Sequence, residues 1–86
     1  MNDCQILFYY RHEEKVIQCQ RNELIRDIIM RYREKSNLPV DEFDFFYEGN
    51  IINQGQTLEQ INKKDEEILF YVFPKTKEKN ENTMKK

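Results

Sequence analysis

The sequence predicts an α+β fold in which one helix packs on one face of a mixed sheet. Three observations carry that expectation. Short apolar blocks stand near both ends of the 86-residue chain, one stretch alone repeats apolar residues at helical spacing, and turn residues punctuate the rest. The resulting order is strand, strand, helix, strand, short strand, strand. A chain of this length supports one small domain with a core near the lower limit of independent stability.

The first strand is "ILFYY", residues 6–10, followed by the charged break "RHEE" and then "KVIQCQ", where Ile17 and Cys19 alternate with Gln18 and Gln20. If Cys4 faces Cys19, Ile6 falls opposite Ile17 and Phe8 opposite Lys15, which gathers a largely apolar face. The turn near Arg11 and His12 has neither Gly nor Asn, so a bulged or longer loop is expected. Asn22 is placed to cap a helix over about residues 23–35, with Ile25, Ile28, Ile29 and Tyr32 at i, i+3, i+4 and i+7. Arg26, Asp27, Arg31, Arg33 and Glu34 take the solvated side, Asp27 and Arg31 as an i, i+4 pair. Pro39 disfavours helical geometry at Leu38 and ends the helix.

After it, "EFDFFYEG" alternates Phe43, Phe45 and Tyr47 with Asp44, Phe46 and Glu48, and Gly49 marks a turn. A short strand at residues 51–52, a loop through Gly55, a brief turn at "TLEQIN" and an acidic turn at "KKDEE" lead to the last strand. There, residues 68–73 are six apolar residues in a row. Since successive strand residues point to opposite faces, such a run leaves neither face for water, and something must cover the second.

Charge and composition exclude several classes. Residues 1–73 carry 9 basic against 14 acidic residues, −5, and residues 74–86 carry 5 against 2, +3. An acidic body argues against nucleic acid as partner of the folded part, which would want a clustered positive face. No apolar run approaches the ~20 residues of a membrane span, and Met1-Asn2-Asp3 does not open a signal peptide, so a cytoplasmic or nuclear chain is expected. Cys4, Cys19 and the single His12 cannot supply a four-ligand zinc site, and no cofactor or metal is expected. Without a secretory signal the thiols read as reduced core residues rather than a disulfide. The domain is expected to end at residue 73, with 74–86 a basic tail, disordered or dependent on a partner.

"SNLPVDEFDFFYEGNIINQGQTLEQIN" followed by "DEEILFYVF" resembles the second half of a ubiquitin-like β-grasp domain. A Pro after the helix, a hydrophobic strand ending in acidic-Gly, an Ile before the next loop and Thr-Leu leading into an acidic turn carry the resemblance, over about residues 4–73. "FFYEG" and Tyr32 lean towards the small ubiquitin-related modifier (SUMO) branch. Lys63 departs from the pattern, since the family usually buries an aliphatic residue there, and a looser turn is expected. A conjugated modifier also needs a Gly-Gly pair after its last strand, whereas residues 74–86 contain no glycine. A non-conjugated module is expected, or a SUMO-like modifier if the chain extends to a Gly-Gly.

The resemblance implies a recognition patch on the outer sheet face. It carries the central positions onto Phe46 and Val72, with Phe70 and Gly49 beside them, and Leu7 and Tyr9 point the same way if Ile6 and Phe8 point inward. Leu69 and Tyr71 would then be core. A contiguous apolar patch on a small domain marks an interaction surface, so a protein partner is expected. The resemblance also implies an alternative site, a peptide groove between the second strand and the helix, lined by Val16, Ile17, Gln18 and Cys19 with Ile29 and Arg33. A permanent structural subunit, its sheet buried in a larger assembly, is the alternative function. Catalysis is not expected: His12 stands in an exposed turn among Arg11, Glu13 and Glu14, "DEFD" and "DEE" lack a cation motif, and no phosphate-binding Gly loop exists.

Overall fold

The computed structural model describes residues 3–39, 41–62 and 67–75. Strands β1 (Asp3–Tyr10) and β2 (Glu13–Gln20) form an antiparallel hairpin in the expected register, Cys4 with Cys19, Ile6 with Ile17 and Phe8 with Lys15. Its connection is tighter than expected. Arg11 and His12 alone turn the chain, with φ of 53° and 66°, the positive values of a type I′ turn whose twist matches that of the strands. Non-glycine residues adopt this region at a cost of roughly 1–2 kcal/mol each. Local contacts accompany it: the Arg11 guanidinium lies 5.4 Å from the Tyr10 ring centroid, and the Tyr9 hydroxyl is 3.3 Å from His12 Nδ1.

Helix α1 (Ile25–Ser36) begins later than expected, and Asn22 does not cap it. The cap is tertiary instead. Ile25 and Arg26 donate their backbone N–H groups to the carbonyls of Gln56 (2.8 Å) and Gln54 (3.1 Å), so a distant loop satisfies donors that a helix start leaves open. At the other end Asn37 turns left-handed, φ 59°, and Leu38 N–H bonds the Arg33 carbonyl at 2.9 Å, which stops the helix just before Pro39. The apolar stripe Ile25, Ile28, Ile29 and Tyr32 is buried as predicted. Arg31 pairs with Glu23 at 2.8 Å rather than with Asp27, which lies beside Arg26.

The sheet is mixed, in the order β2-β1-β5-β3-β4, with β3 (Phe43–Tyr47), β4 (Asn50–Ile51) and β5 (Ile68–Pro74). β5 runs parallel to β1 and antiparallel to β3. The short fourth strand starts one residue earlier than expected, and Ile52 drops into the core. Glu48 and Gly49 make the β3–β4 turn with φ of 53° and 83°. A Cβ at Gly49 would meet nothing within 4 Å, so the backbone angle, not space, asks for glycine there. Between β4 and β5 a single turn, α2 (Leu58–Ile61), is started by Gln60, whose side-chain oxygen accepts from the Thr57 N–H at 2.8 Å. Buried Asn62 donates to the Tyr47 hydroxyl at 2.7 Å and accepts from Arg21, which ties that turn to β3.

The phase of β5 departs from expectation. Parallel pairing sets Ile6 beside Ile68 and Phe8 beside Phe70, and antiparallel pairing sets Phe45 beside Val72. Paired residues share a face, so Phe70 and Val72 point to the helix and are buried, 0% and 3% exposed, while Leu69 and Tyr71 point outward. The outward assignment of Phe70 and Val72, and the core assignment of Leu69 and Tyr71, are both corrected. The core is aromatic at its centre: Phe8 stacks on Tyr32 with ring centroids 4.2 Å apart and meets Phe70 edge-on at 5.3 Å. Expectations for the turn at Lys63 and for the tail beyond Lys75 fall outside the described residues.

This phase predicts unequal costs along one strand. Phe70→Ala should lower the unfolding free energy by about 3–5 kcal/mol through the cavity it leaves, and Phe73→Ala by less than about 1 kcal/mol, measured by urea denaturation.

Candidate functional site

The face opposite the helix is apolar from edge to edge. Register places Val16 beside Leu7, Leu7 beside Leu69, Tyr9 beside Tyr71, Tyr71 beside Phe46 and Phe46 beside Ile51, a continuous band over all five strands. At about 4.8 Å between strands it is about 19 Å wide. Phe73 extends it along β5. Ile51 is 63% exposed, Phe73 53%, and Tyr71 and Val16 40% each. Of the residues expected here, Leu7, Tyr9 and Phe46 do face outward and are half-buried. Gly49 is exposed at the hairpin tip, beyond the band.

The rings hold one another. Tyr9 and Tyr71 meet edge-on at 5.8 Å, Phe46 and Phe73 edge-on at 5.6 Å, and Tyr71 and Phe73 lie nearly parallel at 6.5 Å. Such contacts order the rings while leaving Tyr71 and Phe73 40% and 53% exposed. At one end the band runs into a hollow of about 330 Å³ lined by Tyr9, Tyr71, Phe73 and Pro74 with Arg11 and His12 at its rim.

The second expected surface, the groove between β2 and α1, exists as an open channel of about 510 Å³ lined by Val16, Ile17, Gln18, Arg31, Glu34 and Lys35. Ile29 and Arg33 do not contribute to it. Ile29 is 2% exposed, and both line the other side of the helix with Phe43 and Asp44, because a helix advances about 100° per residue and the 29/33 row faces β3. Cys19 borders a separate polar hollow with Gln20, Glu23 and Arg31.

That polar hollow closes part of the sheet edge. In a hairpin closed by a two-residue turn, alternate β2 residues aim their backbone groups away from β1, and these include Gln18 and Gln20. Arg31 Nη2 donates to the Gln18 carbonyl at 3.0 Å, Glu23 Oε1 accepts from the Gln20 N–H at 2.9 Å, and the Glu23 N–H donates to the Gln20 carbonyl at 3.1 Å. A strand added at this end of β2 would have to displace the Glu23–Arg31 pair.

The Cys19 thiol is not poised for chemistry. The Sγ atoms of Cys4 and Cys19 lie 3.5 Å apart as free thiols. Burial, and then the neighbouring Cys4, push the Cys19 thiol up to about 12, so at neutral pH it stays protonated and a poor nucleophile. Among the described residues no group of His, Cys, Asp or Glu converges as metal ligands do, and no helix is long and apolar enough to cross a membrane.

A five-stranded mixed sheet in the order β2-β1-β5-β3-β4, grasping one helix on one face, defines a ubiquitin-like domain. The chain belongs to the Rad60 SUMO-like family of ubiquitin-2-like domains, whose model matches residues 5–72. The solution structure of the ubiquitin-like domain of Arabidopsis thaliana protein At2g32350 superimposes with a TM-score of 0.75 at 14% identity, covering 88% of this chain and 81% of that one. A second structure of the same Arabidopsis protein gives 0.75 at 13% identity, over 88% and 90%. At such identities the likeness concerns the fold. No curated protein is significantly similar in sequence.

The Glu23–Arg31 pair makes an acid-sensitive contribution. Hydrogen bonds from Arg31 hold the Glu23 carboxyl below its ordinary value of 4.5. The stabilisation is therefore present above about pH 4.5 and fades as pH falls through the lowered folded value. Both side chains are partly solvated, 42% and 29% exposed for Arg31 and Glu23, so the effect should stay below about 1 kcal/mol. Urea midpoints of wild type and Glu23→Gln should differ at pH 7 and converge near pH 3, and the Gln20 amide should exchange faster in the variant at pH 7.

Proposed function

We propose that this chain is a non-catalytic, non-conjugated protein-interaction module that engages its partner through the outer sheet face. The observation that carries this reading is the band of apolar side chains from Val16 to Ile51, four of whose members, counting Phe73, are at least 40% exposed. Water contact at so many large side chains forfeits roughly 1.5–3 kcal/mol for each one a partner could bury, so a covering surface has several kcal/mol available before association costs. Membership of a ubiquitin-like family is in keeping with such a role. Residues 74–86, the stretch that follows the last strand, contain no glycine, whereas conjugated members of the wider family carry a Gly-Gly pair shortly after that strand.

The contact surface of this reading comprises Leu7, Tyr9 and Phe46, kept from the sequence, with Leu69, Tyr71 and Phe73 in place of Phe70 and Val72. The test compares proteins retained by the immobilised wild-type chain with those retained by Tyr71→Asp and by the groove variant Glu34→Lys. Tyr71→Asp should stay folded, with an unchanged far-ultraviolet dichroism spectrum, and lose at least tenfold in retention, while Glu34→Lys keeps it. The opposite pattern would move the site to the β2–α1 groove.

A further inference from the structure

Resting on that reading of the outer face, we infer that its partner segment is apolar and carries an arginine, whose guanidinium lies on the Tyr71 and Phe73 rings beside Asp44. Three observations lead there. The first is charge. Each strand sends alternate residues to this face, and within the strands those with described side chains include the carboxylates Glu14 and Asp44 but no Lys or Arg; Lys75, the residue after β5, lies near Asp44. Lys15 pairs with Phe8 on the helix side, and Arg11 is drawn over the Tyr10 ring, also on the helix side. At the rim of the hollow that touches the outer face stand His12, by the Tyr9 hydroxyl, and Arg11, whose guanidinium is held against the Tyr10 ring. An apolar surface fringed by carboxylates favours a cationic partner over an acidic one.

The second observation is ring geometry. Tyr71 and Phe73 are near-parallel, 19° between planes, and both are at least 40% exposed, so they offer ring faces to one flat cation. A guanidinium is planar and weakly hydrated, and stacks where an ammonium cannot. The third is the neighbour of those rings. Asp44 is the register partner of Phe73, so its carboxylate stands on the same face about 5 Å away at Cβ; Arg33 and Lys75 line a hollow with Asp44, yet among the described residues neither is ion-paired with it. A fork of two N–H groups fits that carboxylate while the plane rests on the rings. The chain already makes the ring half of this contact once within itself, between Arg11 and Tyr10.

A second copy of the chain fits less well. Apposing two such faces would bring the carboxylates Glu14 and Asp44 of one copy towards those of the other, and like charges repel at short range.

The test uses the full chain, isotope-labelled, and two synthetic leucine-rich peptides identical except that one carries arginine where the other carries citrulline, which keeps the shape and loses the charge. Amide and side-chain shifts should move at Leu69, Tyr71 and Phe73 with both peptides. The arginine peptide should bind about tenfold more tightly, the combined worth of a ring–cation contact and a partly exposed ion pair, and the gap should shrink as salt rises. Asp44→Asn should remove most of the gap by weakening the arginine peptide severalfold more than the citrulline peptide. Equal binding of the two peptides, or a gap unaffected by Asp44→Asn, would overturn the arginine assignment while leaving the outer face as the docking surface. Shifts confined to the β2–α1 groove would overturn both, and concentration-dependent shifts of the outer face without peptide would assign it to a second copy.

Discussion

The stack of Phe8 on Tyr32 is the contact from which the rest of the arrangement follows. It fixes which side of β1 faces the helix, at a position where both residues are essentially inaccessible to solvent. Parallel pairing then hands that phase to β5 through Phe8 and Phe70, and antiparallel pairing hands it on to β3 through Val72 and Phe45. Phe45 closes the circuit by meeting both Phe8 and Tyr32 edge-on. A shift of one residue anywhere in this chain of pairs would exchange core and surface for a whole strand, which is why the register is strongly held.

The same circuit decides what is left outside. Of eleven aromatic residues, five Tyr and six Phe, the inner side takes Phe8, Tyr32, Phe45 and Phe70 fully and Tyr10, Phe43 and Tyr47 in part. Tyr9, Phe46, Tyr71 and Phe73 have no place there, because one helix and one sheet face enclose only a single layer of side chains. The domain therefore keeps a second apolar layer in reserve, ordered by its own ring contacts. Against that, its β2 edge is partly blunted: the Glu23–Arg31 pair occupies backbone groups of Gln18 and Gln20 that would otherwise invite strand addition. Face and edge thus differ in kind, one a broad apolar surface and the other a channel with a polar lock at one end.

Most of the fold was legible because its signals are local. Strand alternation at Ile17 and Cys19, the Ile25-to-Tyr32 stripe and the alternation around Phe45 each have one face plainly apolar, and the hairpin register followed from them. What was not legible depended on distant partners. The helix start is set by carbonyls of Gln54 and Gln56, so Asn22 looked like a cap that the tertiary structure does not use. The type I′ turn at Arg11 and His12 was hidden by residues that seldom take positive φ. The candidate site was half legible: Leu7, Tyr9 and Phe46 stand where expected, but β5 is apolar on both sides and its alternation carries no phase. A signal did exist, since pairing Phe8 with Phe70 rather than Tyr71 would have put a phenol in the water and a phenyl ring in the core, the ordinary preference of each.

The make-up of the outer face depends on the phase of β5, and solvent accessibility of its side chains tests that phase most directly. With a soluble, uncharged paramagnetic agent added to the labelled chain, the side-chain protons of Tyr71 and Phe73 should relax severalfold faster, with Leu69 intermediate, while those of Phe70 and Val72 stay as protected as those of Phe8. Strong relaxation at Phe70 and Val72 with protection at Tyr71 would contradict the account, because it would turn the strand over and exchange the docking face for the core.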